Sequence, residues 1–214
     1  MPEWAAPGTH LHQSCKGGHL NEAQQDRYRG RLDIALDSIT EATVGEITTI
    51  FVSARLNGDR IWLIGNGGSA TTADHFATDL LRCSDKEGRP VRATSLCSNV
   101  GVITATSNDL GYEHIFTRQL ELLASPGDVL VAISASGNSP NIIAAINWAK
   151  QNSLITVGLT GFDGGAARAL VDVSVHVEST KGDYGVVEDA HLVACHMVAE
   201  ALRVDQIPTH ASEG

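Results

Sequence analysis

A chain of 214 residues with a formal net charge of −10, 43% hydrophobic residues and 21 glycines has the size and composition of one α/β domain with a substantial core. Its acidity excludes non-specific binding to nucleic acid or to an anionic membrane surface, so an anionic ligand would have to be held by local N–H groups and hydroxyls. No apolar run reaches the roughly 18 residues of a membrane-spanning helix, and the first residues lack the basic-then-apolar order of a secretion signal. The four cysteines (Cys15, Cys83, Cys97, Cys195) are scattered, with no CxxC pair, as expected of reduced thiols in a cytoplasmic protein.

Residues 1–20 mix Pro, Gly, His and Ser without periodicity and read as a flexible tail, in which His10, His12 and His19 are solvated rather than a metal tract. From Asn21 to Leu56 there is no proline, and apolar residues recur at Ile34, Leu36, Ile39, Val44, Ile47, Ile50, Phe51 and Ala54. That predicts one long helix or two stacked ones, with an apolar face wide enough for an oligomerisation helix. The short apolar run Ile61–Ile64 reads as a buried parallel strand. It enters Gly65-Asn66-Gly67-Gly68-Ser69, after which Ala73, Phe76, Ala77, Leu80 and Leu81 return at helical spacing. Strand, glycine turn and helix make a phosphate-binding layout, because glycines let the backbone approach an anion and the first helical N–H groups point at it. Within that helix His75 and Asp79 are four residues apart and share a face.

A second strand is expected over Pro90–Leu96, a short helix over Val100–Thr106, a turn at Ser107–Gly111 and an amphipathic helix over 113–123. Pro126-Gly127-Asp128 stops that helix and starts a third strand, Val129–Ile133. The third strand runs into Ser134-Ala135-Ser136-Gly137-Asn138-Ser139-Pro140, followed by a helix with Ile142, Ile143, Ala145, Ile146 and Ala149. Strands Ile155–Leu159 and Val173–Val177 flank a short helix at Gly164–Leu170, and Tyr184–Arg203 forms the last helix. The alternation predicts a doubly wound, five-stranded parallel α/β sheet over residues 21–205, followed by a loose tail at 206–214. Ligands are expected at the carboxyl ends of the strands.

Three groups of residues carry chemistry. Ser134, Ser136 and Ser139 place three hydroxyls on a tight turn ahead of a helix, suited to a phosphate monoester held by neutral donors, although an ordinary serine N-cap has the same composition. Asn66, Gly67, Gly68 and Ser69 form the companion turn. On the last helix Glu188 and His196 are eight residues apart, about 80° around the axis, with His191 and Cys195 on the same broad stripe. His75, Asp79, Glu188 and His196 together suit either a metal or an acid–base pair.

The runs GNGGSATTADHFATDL, SNDLGYEHIFTRQLE, ISASGNSPNII, VGLTG and EDAHLVACH resemble the sugar isomerase (SIS) domain of the bacterial phosphoheptose isomerases, over about residues 25–203. The resemblance implies a flavodoxin-like fold and a homotetramer with active sites at subunit interfaces. It implies one Zn2+ per subunit, and conversion of sedoheptulose 7-phosphate to D-glycero-D-manno-heptose 7-phosphate through an enediol. It assigns sugar contacts to Asn66, Gly67, Gly68, Asn108 and Asp109, and phosphate contacts to Ser134, Ala135, Ser136 and Ser139. It assigns zinc to His75, Asp79, Glu188 and His196, with position 79 as base and His196 as partner acid.

Three positions depart from the family's pattern. Asp79 stands where the family has Glu, Glu188 where Gln is usual, and Ala135 where Thr is usual. Glu188 is therefore expected to compensate for Asp79, as metal ligand or as the base itself. Two rival readings compete. Gly65-x-Gly67-x-x-Ala70 fits a dinucleotide fingerprint, but the second strand ends Ser95-Leu96-Cys97-Ser98-Asn99, without the acid that would hold a ribose. A non-catalytic phosphosugar sensor or tetrameric adaptor of the same fold would keep the phosphate loops and lose the acid–base pair.

Overall fold

The computed structural model describes residues 21–83 and 87–204; the expected tails, with His10, His12, His19 and Cys15, lie outside the described residues. Two helices open the domain, α1 (Glu22–Asp37) and α2 (Glu41–Asn57). The break falls at Ser38-Ile39-Thr40, with no proline or glycine to announce it. Each helix carries its own start signal: Asn21 and Gln24 form a reciprocal capping box on α1, and Thr40 caps α2 through the Thr43 N–H.

The chain then alternates through β1 (Arg60–Gly65), α3 (Gly68–Leu81), β2 (Arg92–Ser95), α4 (Val100–Leu110), a 3-10 turn at Tyr112–His114, α5 (Thr117–Leu123) and β3 (Val129–Ser134). It closes with α6 (Pro140–Gln151), β4 (Ile155–Thr160), α7 (Gly165–Leu170), β5 (Val173–His176) and α8 (Tyr184–Val204). All strand pairs are parallel, in the order β2-β1-β3-β4-β5. The parallel sheet expected from the alternation is observed, in the order of the flavodoxin-like fold that the resemblance implies.

Alternate strand residues feed two cores. Leu63, Val131, Ile133, Val157 and Leu159 pack with Phe51 of α2, Phe76 of α3 and Val198 of α8. Trp62, Ile64, Leu130 and Ala132 pack on the other face with Phe116, Leu120, Ile142 and Ile146. α1 adds an outer layer, in which Ala35 joins Val177, Val186 and Ala190. Asp128 ties the lower rim together: its buried carboxylate accepts hydrogen bonds from the Arg60 and Ser125 N–H groups and the Trp62 indole.

Two local expectations are corrected. Residues 107–110, read as a turn, are the last turn of α4, which ends at Gly111 with a φ of 105°. The expected helix over 113–123 is split into the 3-10 turn and α5. Turn-forming composition in Ser107-Asn108-Asp109 gave way to continuation of a helix already capped by Asn99.

Candidate functional site

Strand order reverses between β1 and β3, whose pairing ends at Gly65 and Ile133. That switch point is where an open parallel sheet leaves a crevice for a ligand. The glycine turn leaves β1 and the serine loop leaves β3, so both line one cleft, with Asn66, Ser69, Ser134, Ala135, Ser136, Ser139, Tyr184 and Glu188 on its walls.

The serine loop is held in shape from beneath. Gly137 sits at φ 61°, and a Cβ there would run into the Gly164 carbonyl oxygen. Ser134 Oγ accepts from the Gly137 N–H at 3.1 Å, and the Asn138 side chain spans from the Ser136 carbonyl at 3.0 Å to the Ala166 N–H at 3.0 Å. Ser139 occupies the N-cap position of α6 but makes no side-chain cap hydrogen bond, with Pro140 as the first helical residue. The simple N-cap reading therefore does not hold for Ser139.

Glu188 closes the cleft from α8. Its carboxylate packs so tightly over Gly68 that any Cβ at that position would collide with it. An acid thus stands among neutral donors at the start of α3.

The second feature lies further along the same two helices. His75 Nε2 and His196 Nε2 are 3.2 Å apart, and Asp79 Oδ2 lies 3.4 Å from the first and 3.5 Å from the second. The side chains of His75 and His196 are 48% and 50% exposed, against 15% for Asp79, and Arg203 Nη2 stands 3.8 Å from Asp79 Oδ1. The cluster opens onto a broad groove shared with Arg82, Val193, Met197 and Glu200. Among the described residues these three are the His, Cys, Asp or Glu side chains that converge closely enough to hold one ion. Their separations match the edge of a tetrahedron around zinc, about 3.3 Å for ligand bonds of 2.0–2.2 Å, so the donor set fits a metal.

The sequence-predicted residues thus divide between two places. Asn66, Ser69, Ser134, Ala135, Ser136, Ser139 and Glu188 share the cleft, with Gly67 and Gly68 in its turn. His75, Asp79 and His196 share the cluster. Glu188 stands outside that group, since eight residues of helix carry it about 12 Å along the axis from His196. Within one chain it does not complement Asp79. Asn108 and Asp109 lie on the exposed last turn of α4, hydrogen-bonded to each other at 2.8 Å.

His191 and Cys195, read as stripe neighbours of the site, point into the core. Burial pushes the His191 imidazole down to about 4, with the Thr160 backbone opposing and His176 adding to the shift. Burial, with Asp79 nearby, raises the Cys195 thiol. Two residues went unnoticed in the sequence. Asn141 and Tyr112 both hydrogen-bond Asn66; an asparagine directly after the N1 proline was the available signal.

The SIS domain family matches residues 30–161. Phosphoheptose isomerase of Trichlorobacter lovleyi is 36% identical over 173 residues, covering 81% of this chain and 87% of that protein. That of Aliarcobacter butzleri is 40% identical over 153 residues, covering 72% and 80%. The structure of phosphoheptose isomerase from Neisseria gonorrhoeae superimposes with a TM-score of 0.77 at 29% identity, covering 85% of this chain and 96% of that one. By sequence, sheet order and the paired turns of its cleft, the chain belongs to the phosphoheptose isomerases of the SIS-domain family.

Proposed function

We propose that the chain is an aldose–ketose isomerase that converts sedoheptulose 7-phosphate to D-glycero-D-manno-heptose 7-phosphate through an enediol. The observation that carries this reading is the meeting of His75, Asp79 and His196 from two distant segments, on the helix whose N-terminus opens the serine-lined cleft. A protein that only binds the sugar has no use for that group.

The phosphate is held by the hydroxyls of Ser134, Ser136 and Ser139 with the N–H groups at the start of α6. This grip is remote from the reacting carbons and serves to orient them. Asn66, the glycine turn and Glu188 meet the sugar hydroxyls. Isomerisation then needs one group to take the proton from the carbon beside the carbonyl and another to protonate the carbonyl oxygen, the roles reversing on return. Asp79 serves as the base and His196 as the acid, by correspondence with the family. His75, seven residues from Gly68 and so about 10 Å along α3, lies within the reach of an extended seven-carbon chain anchored at the serines.

His75, Asp79 and His196 would hold a Zn2+ ion, and the chemistry such an ion supplies when bound is Lewis-acid polarisation of a carbonyl. Glu188 joins the ligand set only if it comes from another copy of the chain. The assembly is a homotetramer with active sites at subunit interfaces. Its support is the exposed apolar surface near the cluster, where Leu81 and Met197 are solvated. None of the helices is long and apolar enough to cross a membrane among the described residues, in keeping with a cytoplasmic enzyme on a phosphorylated metabolite.

The test is incubation with sedoheptulose 7-phosphate while an aldose product is measured. Turnover that disappears on chelation and returns with zinc is the expected result. Absence of product from a folded, zinc-loaded protein overturns the assignment.

A further inference from the structure

Asn66 lies in the glycine turn and lines the cleft, and its side chain is almost fully committed. Its Oδ1 accepts from Asn141 Nδ2 at 2.8 Å and from the Tyr112 hydroxyl at 2.9 Å, while its Nδ2 donates to Asn141 Oδ1 at 3.0 Å. A primary amide has two acceptor lone pairs and two donor hydrogens. Both lone pairs and one hydrogen are used here, which leaves a single N–H. Rotating the Asn66 amide alone by half a turn would set N–H against N–H and O against O in the Asn66–Asn141 pair, so its orientation is tied to that of Asn141.

We propose that Tyr112 and Asn141 are positioning residues that lock Asn66 with one N–H available to the cleft, so that this side chain can address only an acceptor oxygen of the substrate. The lock draws on three segments distant in sequence. Asn66 follows β1. Asn141, only 1% exposed, sits in the first turn of α6 directly after the serine loop. Tyr112 follows Gly111, beside Asn108 and Asp109 at the end of α4. The two ligand-bearing turns are therefore tied to each other by a reciprocal amide pair and to the surface segment by one phenol. A sugar carbonyl or a hydroxyl acting as acceptor satisfies the free N–H; a group that can only donate leaves it unpaired inside the cleft, which costs affinity.

This inference rests on the cleft being a sugar-phosphate site, and the test separates the two. Tyr112 is 52% exposed, so Tyr112→Phe removes one hydroxyl with little risk to the fold. Calorimetric binding is measured for sedoheptulose 7-phosphate and for inorganic phosphate alone. Sugar-phosphate affinity is expected to fall roughly fivefold, the scale of one hydrogen bond, with the Kd for inorganic phosphate and the thermal midpoint unchanged. In an Asn66→Ala background Tyr112→Phe should have no further effect. Equal sugar-phosphate binding by Tyr112→Phe, parallel loss of both ligands, or an undiminished effect without Asn66 each overturns the lock. If the unaltered protein binds neither ligand, the sugar-phosphate reading of the cleft falls first and the lock with it.

Discussion

The cleft at the strand ends and the cluster on α3 and α8 follow opposite plans. The cleft is made of short loops pinned by backbone contacts, and its donors are neutral hydroxyls and N–H groups, with Glu188 as the one acid on its walls. The cluster is made of side chains projecting from the middle and end of two long helices, and its imidazoles are half exposed. A site for an anion that the chain must grip and release can be finished by backbone geometry alone. A site that must hold an ion and move protons needs titratable groups from several elements, and this one stays open to solvent in a single subunit. On the proposed function, binding and chemistry are segregated along α3, the first at its N-terminus and the second two turns later.

That segregation can be broken experimentally, and the largest effect belongs to the cluster. His196→Ala should lower kcat about a thousandfold, within the range for loss of a general acid or base, while calorimetric affinity for the sugar phosphate stays within about threefold. Strong loss of binding would show that cluster and cleft are not separate. In the cleft, Ser136→Ala combined with Ser139→Ala should raise KM about tenfold with kcat nearly unchanged, the signature of binding shared by ground and transition states. A collapse of kcat instead would assign the serines to the chemistry.

Glu188→Gln sharpens the comparison further. With its carboxylate over Gly68 and apart from the imidazoles, the substitution should leave zinc content unaltered and tighten inorganic phosphate about threefold, by removing a like charge from an anion cleft. Metal analysis showing zinc loss would move Glu188 into the ligand set, across a subunit boundary.

The smallest effect concerns the helix that carries both regions. His191 lies on α8 between Glu188 and His196 and is held neutral by burial, with a folded-state value of about 4 against 6.5 for a free imidazole. Between those values the unfolded chain binds the proton first. The stability that His191 contributes is therefore complete above pH 6.5 and falls as pH drops toward 4, by about 1.4 kcal/mol per pH unit. Denaturant titrations of the unaltered protein and of His191→Leu should differ by that slope. Parallel curves would show that His191 is protonated with little penalty.

Much of this was legible beforehand because it is local. The glycine turn after Ile64, the serine loop after Ile133 and the shared face of His75 and Asp79 each depend on a few neighbouring residues. The helix break at Ser38–Thr40 was harder, since its only markers are caps, and caps look like ordinary polar residues until a helix is known to begin there. The place of Glu188 within one chain was harder for a different reason. Eight residues leave two side chains about 80° apart on one broad stripe, but the rise separates them by about 12 Å, so a shared stripe is not a shared position.

The order of elements, the parallel sheet and the two ligand-bearing turns were determined by the sequence alone, because apolar periodicity and glycine placement act over one or two helical turns. Only the tertiary structure decided which residues meet. The axial offset of α3 against α8 sets His196 beside His75 and Asp79 across 121 and 117 residues of chain and leaves Glu188 at the cleft. The fold of α4 and α6 toward β1 joins Tyr112 and Asn141 to Asn66. Such offsets come from the packing of whole helix faces on the sheet, and no spacing within a single element encodes them.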